Sequence, residues 1–254
     1  ISTMASLVAA ASGVRMVKHG NRSASSSSGS ADVLEALGVN LTLAPSAVAA
    51  GRRRGGTPCC SAWLFAAGFG GGAPGRRDLG VGPVFNFLGP LTNPAQPTCA
   101  AVGVADARMA PLIAGVFAGR GKDAAVFRGN DGLDELTTST TSRVWWVRHG
   151  AVREYEVDPT SVGLNLHSVE TLRGADADHN AQVVRDVFAG AGGPIRDAVV
   201  LNTGVALALT VPDRGESQAD FIEALKQGMD RARATIDDGS ATAILQRWVT
   251  ATTR

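Results

Sequence analysis

An α/β fold is what the sequence predicts, and three observations carry the prediction. Short apolar runs that read as strands alternate with helical patterns, a glycine- and serine-rich loop joins a strand to a helix near the start, and the last third of the chain turns helical. With 254 residues and 44% hydrophobic content, the chain can bury one ordinary core, or two smaller ones, without covalent staples. Lys+Arg 24 against Asp+Glu 23 leaves a net charge of +1. So balanced a charge gives no electrostatic reason to expect nucleic acid or an anionic membrane as the main partner, and points to a small ligand. No run of about 18 or more apolar residues is present that would span a bilayer. Cys59, Cys60 and Cys99 are too few and wrongly spaced for a disulfide framework or a zinc cage, which makes a reducing compartment, the cytoplasm, the expected location.

The elements follow in order. From Ser2 to Ala11 the pattern is small and apolar, with Met4, Leu7 and Val8 on one helix face and Ser2 or Thr3 as the cap. Val14 to Val17 reads as a buried strand. The polar stretch Lys18 to Ser30 precedes a helix, Ala31 to Leu37, which ends on Gly38 where a left-handed C-cap belongs. Between Glu35 and Asp78 there is no acidic residue, while Arg52, Arg53, Arg54, Arg76 and Arg77 crowd the interval with glycines, and no clear period survives. Beyond it, Cys99 to Val104 reads as a strand, Ala107 to Ala118 as a helix and Ala124 to Phe127 as a strand. Val144 to Val147 pairs with Val152 to Tyr155 across His149-Gly150 as a hairpin. Pro194 marks a helix start, and Ala198 to Leu209 is apolar enough to be a buried helix. Ser217 with Asp220 resembles a capping box for a helix that places Phe221, Leu225, Met229, Ala232 and Ile236 on one face.

Two constellations carry chemistry. Lys18, His19, Gly20, Asn21 and Arg22 precede Ser23, Ser25, Ser26, Ser27, Ser28 and Ser30. Cations beside glycine and hydroxyls at the end of a strand supply point charge, fork geometry and short donors, as a polyphosphate requires. The plainer reading is a solvated linker, but linkers seldom lie inside a tight strand, loop, helix unit, whereas anion loops often do. The second constellation is Asn130, Asp131, Gly132, Leu133, Asp134, Glu135 and Leu136. Adjacent carboxylates suit Mg²⁺, which takes one or two and completes its shell with water and substrate phosphates; the competing reading is an acidic turn built on Asp131-Gly132. A bound diphosphate bridged by Mg²⁺ accounts for both constellations at once. A third stretch, Phe85 to Ala95, is built of Gly-Pro and Asn-Pro breakers and reads as a rigid turn that ends a helix. Arg76 and Arg77 just before it read as surface charges, or one of them as the partner of a carboxylate; residue type alone favours the surface.

The run Ile1-Ser2-Thr3-Met4, the block Lys18 to Asp32, the block Phe85 to Ala95 and the block Asp131 to Thr138, in that order, resemble the anthranilate phosphoribosyltransferase family of tryptophan biosynthesis, within the nucleoside phosphoribosyltransferase and pyrimidine phosphorylase superfamily. The resemblance implies an α/β catalytic domain over residues 1–254 with a mixed central sheet flanked by helices. It implies that the amine of anthranilate displaces pyrophosphate from 5-phosphoribosyl 1-pyrophosphate, with Mg²⁺ as cofactor and a homodimer for the full-length protein. It gives Ser2, Asp134 and Glu135 as metal ligands. Ile1, Ser2, Thr3, Lys18, His19, Gly20, Asn21, Arg22, Ser23, Ala24, Ser25, Ser26 and Ser30 would line the phosphoribosyl pyrophosphate, and Asn21 and Arg76 would contact anthranilate, Arg76 at its carboxylate. No general base is assigned, since an aromatic amine is nucleophilic when neutral and orientation is what the protein adds. Fixed donors at the departing pyrophosphate would do most of the work.

The chain also departs from the family. Ile1 is not a start methionine, and the family's Gly-Thr-Gly-Gly-Asp turn and N-terminal helical portion are expected upstream of it, so the sequence reads as an N-terminally truncated enzyme, inactive or very weak by itself. Residues 51–75 are Arg-, Gly- and Cys-rich where the family has a helix near the aromatic substrate, as a compensated reading-frame error would leave them. Two rival functions stand beside this one: a related phosphoribosyltransferase or phosphorylase with another acceptor, and a catalytically dead relative that binds nucleic acid through the basic interval 51–77.

Overall fold

The computed structural model describes residues 1–18, 28–41, 60–61, 89–93 and 95–253. The elements are α1 (Ser2–Ala11), β1 (Val17–Lys18), α2 (Ser30–Ala36), β2 (Cys60–Ser61), β3 (Cys99–Gly103), α3 (Met109–Gly119), β4 (Asp123–Gly129), β5 (Ser142–Arg148), β6 (Ala151–Val157), α4 (Ala177–Phe188), α5 (Pro194–Ala208), α6 (Gln218–Asp237) and α7 (Ser240–Thr252), with 3-10 turns at Pro159–Val162 and Val169–Leu172.

The fold is α/β, with a mixed central sheet flanked by helices. β3 pairs parallel to β4 through the crossover helix α3, and β4, β5 and β6 continue antiparallel. Successive residues of the central strands face two different cores. Ala124, Val126, Trp145 and Val147 pack against Ala110, Ile113, Ala114 and Phe117 of α3. Ala125, Phe127, Val144 and Trp146 face the larger core formed with α1, α5 and α6. Covered on both faces, β4 and β5 read in sequence as continuous apolar runs rather than as alternation. The predicted hairpin forms in the predicted register, Val147 opposite Val152 and Val144 opposite Tyr155.

The last third is helical, as the pattern requires. Phe221, Leu225, Met229, Ala232 and Ile236 are all buried on α6, and Phe221 joins that helix to the sheet through Trp146 and Tyr155, at ring centroid distances of 5.0 and 5.1 Å. α5 and α6 cross where Gly204 meets Gly228: a Cβ on Gly228 would collide with the Gly204 carbonyl, and one on Gly204 would lie 2.6 Å from Met229 Cγ. Arg148, at the end of β5, ties the sheet to α5. Its guanidinium pairs with Asp123 at 2.7 Å and donates to the carbonyls of Ala208, Leu209 and Val211 beyond the helix C-terminus.

Three local expectations are corrected. α1 has Ile1 as its N-cap and no side-chain cap, because the helix already includes Ser2 and Thr3 and the Ile1 side chain has no acceptor; the N–H of Ser2 donates to Glu135 instead. The strand expected over Val14 to Val17 is only Val17–Lys18, paired parallel to β2; Val14 and Met16 pack on the core from irregular backbone and Arg15 is exposed. Ser217 does cap α6 by accepting from the Asp220 N–H at 3.2 Å, but Asp220 accepts in turn from Gly215 and Glu216 rather than from Ser217, so only half of the box forms. Among the described residues no helix is long and apolar enough to cross a membrane.

Candidate substrate and cation site

β3 and β4 end side by side, at Gly103 and Gly129, and the chain then enters the segment 130–141. A Cβ on Gly103 would overlap the Asp134 carbonyl, and one on Gly129 would run into the Asp131 carboxylate. At position 103 only glycine lets the segment fold back across the carboxyl edge of these strands, where ligands of open α/β sheets bind.

Within the segment the carboxylates divide into two roles. Gly129 N–H donates to Leu133 O at 2.9 Å and Gly132 N–H to Gly129 O at 3.0 Å, closing a tight turn. Asp131 braces that turn, accepting from the Leu133 N–H at 3.1 Å and from the Ser139 hydroxyl at 2.5 Å. Burial pushes its carboxyl up, but the hydroxyls of Ser139 and Thr137 and the Leu133 N–H outweigh it and hold Asp131 below the ordinary carboxylate range. The acidic-turn reading therefore holds for Asp131-Gly132. Asp134 is exposed and Glu135 half-buried. Glu135 Oε1 accepts from the Ser2 N–H at 3.2 Å, at the first turn of α1. Its carboxyl is pushed up, by burial first and by the neighbouring Asp134 charge, against the opposing pull of the Ile1 amino group, the Ser2 N–H and Lys18.

Ser2, Lys18, Asp134 and Glu135, distant in sequence, thus share one place. A carboxylate whose charge burial and a like neighbour both oppose is stabilised by a cation, and two carboxylates with a nearby hydroxyl are a hard-oxygen set of the kind Mg²⁺ takes. The donors fit that ion. Among the described residues no cluster of three or more His, Cys, Asp or Glu offers a metal a competing site.

The other expected residues are placed in part. Ile1 is half-buried, Thr3 is buried in the first turn of α1, and Ser30 opens α2. Just before Ser30 the chain is pinned: Asn180 Nδ2 donates to Ser28 Oγ at 2.8 Å, the Ser28 hydroxyl donates to Ala175 O at 3.0 Å, and Gly29 N–H donates to Asp32 at 2.7 Å. His19, Gly20, Asn21, Arg22, Ser23, Ala24, Ser25, Ser26 and Arg76 lie outside the described residues, so neither anthranilate contact is placed. Of the block Phe85 to Ala95, residues 89–91 are helical and the chain turns at Thr92 and Asn93, whose side chains accept from or donate to the local backbone, as breakers predict.

Residue type and spacing do not single out Gly103, Gly129, Asn202 or His167. Asn202 of α5 accepts from the Leu136 N–H at 3.0 Å and donates to the Leu136 carbonyl at 2.8 Å. His167 donates its backbone N–H to Thr138 O at 2.8 Å, and its ring lies 3.0 Å from the Asp197 carboxylate. An asparagine within the apolar run Ala198 to Leu209 was the available signal, since a polar group in a buried helix needs partners.

Residues 1–242 match the family described as glycosyl transferase family, a/b domain. The chain is 56% identical over 254 residues to an anthranilate phosphoribosyltransferase of a Nocardioides species, covering 100% of this chain and 73% of that one. Against the Acidothermus cellulolyticus enzyme of the same name it is 54% identical over 251 residues, 99% of this chain and 70% of the relative. The crystal structure of anthranilate phosphoribosyltransferase from Thermus thermophilus superposes with a TM-score of 0.87 at 36% identity, covering 100% of this chain and 73% of that one. The enzyme from Saccharomyces cerevisiae, solved in complex with PRPP and Mg, superposes with a TM-score of 0.85 at 26% identity, covering 99% and 69%.

Proposed function

The chain belongs to the anthranilate phosphoribosyltransferases of the glycosyl transferase family, and we propose that its segment 130–141, with the start of α1 and the end of β1, holds Mg²⁺ and the diphosphate of 5-phosphoribosyl 1-pyrophosphate. The activity is transfer of the phosphoribosyl group to the amine of anthranilate with release of pyrophosphate, a step of tryptophan biosynthesis. The observation that carries the site assignment is the convergence of Glu135, Asp134 and Lys18 on the first peptide of α1, reported by the Ser2 to Glu135 hydrogen bond of 3.2 Å. The yeast relative solved with PRPP and Mg supports both ligands.

In this reading Asp134 and Glu135 hold the cation and Ser2 adds a hydroxyl. Lys18 presents positive charge to the diphosphate, joined by the cations and hydroxyls of His19 to Ser26, while Ser30 and Thr3 flank the ribose phosphate. Mg²⁺ supplies charge neutralisation at the departing pyrophosphate. Fixed donors of the protein favour the charge-separated transition state over the ground state. Asn21 and Arg76 orient anthranilate, Arg76 at the carboxylate, so that its neutral amine faces the ribose carbon without a protein base. The reducing-compartment reading of the three cysteines supports the cytoplasm as location, and the family supports a homodimer for the full-length protein. Residues 1–254 are one catalytic α/β domain, with 51–75 aberrant relative to the family; an adjacent reading frame of the coding DNA should restore a family-like segment there.

The test is the loss of anthranilate fluorescence with phosphoribosyl pyrophosphate and Mg²⁺ in an intact relative carrying alanine in place of Asp134 or Glu135. A fall in kcat/KM of about a thousandfold, ~4 kcal/mol of barrier, with the fold retained is expected. Unchanged turnover would remove the cation assignment.

A further inference from the structure

We propose that Asn202 is the positioning residue for the carboxylate pair, a role that rests on reading Asp134 and Glu135 as the groups that hold the cation. Its carboxamide engages both backbone polar atoms of Leu136, the residue directly after Glu135: the N–H of the peptide that joins it to Glu135 and the carbonyl of the peptide that follows. A single hydrogen bond would leave the backbone at Leu136 free to pivot; two from one planar group hold the peptides on both sides of its Cα together. The peptide plane between Glu135 and Leu136, held through the Leu136 N–H, sets the direction in which the Glu135 side chain leaves the segment 130–141, and so where its carboxylate is presented.

The amide can make these bonds in one orientation only. Nδ2 also donates to the Ala198 carbonyl one turn back on α5, at 2.9 Å. With the amide reversed, Oδ1 would face two carbonyls and Nδ2 an N–H, and all three bonds would be lost. The base on which Asn202 stands is firm: the side chain is 7% exposed, Leu201 and Val205 on either side of it are fully buried, and α5 is wedged against α6 at the Gly204 to Gly228 crossing. An asparagine in a buried helix is unfavourable for both helix propensity and desolvation, and an apolar residue would satisfy the packing of α5 alone. What the polar residue gains lies in the loop. Just downstream, Ser142 Oγ accepts from the Thr137 N–H at 3.0 Å and the His167 N–H reaches Thr138 O, so Asn202 is the described contact nearest the carboxylate pair on that side. Groups that orient cation ligands from behind change cation affinity by about 10- to 100-fold when removed.

The experiment titrates the full chain with Mn²⁺, alone and with inorganic pyrophosphate, reading free ion by electron paramagnetic resonance beside a thermal unfolding curve. The variants are Asn202→Leu, which keeps the branching at Cγ and removes every hydrogen bond, and Asn202→Asp, which keeps the acceptor for the Leu136 N–H and removes the donor; Asp134→Asn and Glu135→Gln are the controls. The expected result is a Mn²⁺ dissociation constant raised at least tenfold in Asn202→Leu and by less in Asn202→Asp, with cooperative unfolding in both. If Asn202→Leu does not fold, Asn202→Asp decides on the same scale. Mn²⁺ affinity within twofold of the unsubstituted chain in the Asn202 variants, with binding lost in Glu135→Gln, overturns the positioning role and leaves the carboxylate reading standing. Unchanged affinity in both carboxylate variants overturns that reading, and the proposal with it.

Discussion

Two connections flank β5, one at each end, and they are built by opposite means. At its far end His149 and Gly150 make a two-residue turn with φ of +51° and +76°, the left-handed pair whose twist matches that of the flanking strands. Everything that turn needs is in its own two residues. At the near end the segment 130–141 takes its shape from Gly103 on a neighbouring strand, Ser2 on α1, Asn202 on α5 and His167. The turn sets a register and carries no chemistry, whereas the segment carries the carboxylates and is held by groups up to 133 residues away. A site that must bring unlike groups together has to be specified from several directions; a reversal of the chain does not.

The largest break in this comparison is expected at Gly103. Gly103→Val drives a side chain into the Asp134 backbone, an overpacked contact that costs about 3 kcal/mol and displaces the carboxylates. Urea unfolding and Mn²⁺ affinity should fall together. At the other end of β5, Gly150→Ala places a Cβ at positive φ, for about 1 kcal/mol, a drop of ~2–4 °C in Tm for a chain of this size. Its Mn²⁺ affinity should match that of the unsubstituted protein, and a loss there would show that the two ends of β5 are coupled.

The smallest effect sharpens the comparison through pH. Residues 213–217 lie along the hairpin, with Trp146 Nε1 donating to Arg214 O and the Tyr155 hydroxyl to Gly215 O. Asp220 fastens them: the Arg214 guanidinium, against the effect of burial and with the Gly215 and Glu216 N–H groups, holds its carboxyl below the ordinary range. A carboxyl depressed in the folded state adds stability above its unfolded pKa, about 3.9, and loses it as pH falls through the folded value. Asp220→Asn should therefore be less stable than the unsubstituted chain at pH 7, with the gap closing in acid, and should bind Mn²⁺ unchanged. A gap independent of pH would show that the carboxylate charge contributes nothing.

What could be read from the sequence follows the same division. α6 was legible because Phe221, Leu225, Met229, Ala232 and Ile236 state one helix face, and the hairpin because its turn residues and flanking valines are contiguous. The adjacent carboxylates Asp134 and Glu135 were legible as a pair, since side-chain type alone marks them. The geometry that makes them a site was not, because neither the Ser2 N–H nor the Gly103 backbone announces in sequence that it will meet that segment. The start of α1 shows the same limit: the hydroxyls of Ser2 and Thr3 fit a capping rule, but the helix begins one residue earlier, with Ile1 at the cap position and Ser2 in the first turn, its N–H on Glu135. Over Val14 to Val17 apolar content predicts a strand, yet a strand also needs a neighbour, and pairing begins only at Val17.

The crossing of α5 and α6 at two glycines fixes how near the two helices can lie. A side chain at either position would meet the facing helix, Gly228 against the Gly204 carbonyl and Gly204 against Met229, so growth at one glycine would spread the pair. Asn202 stands two residues before that contact, and spreading the pair would shift the point from which α5 reaches the backbone next to Glu135.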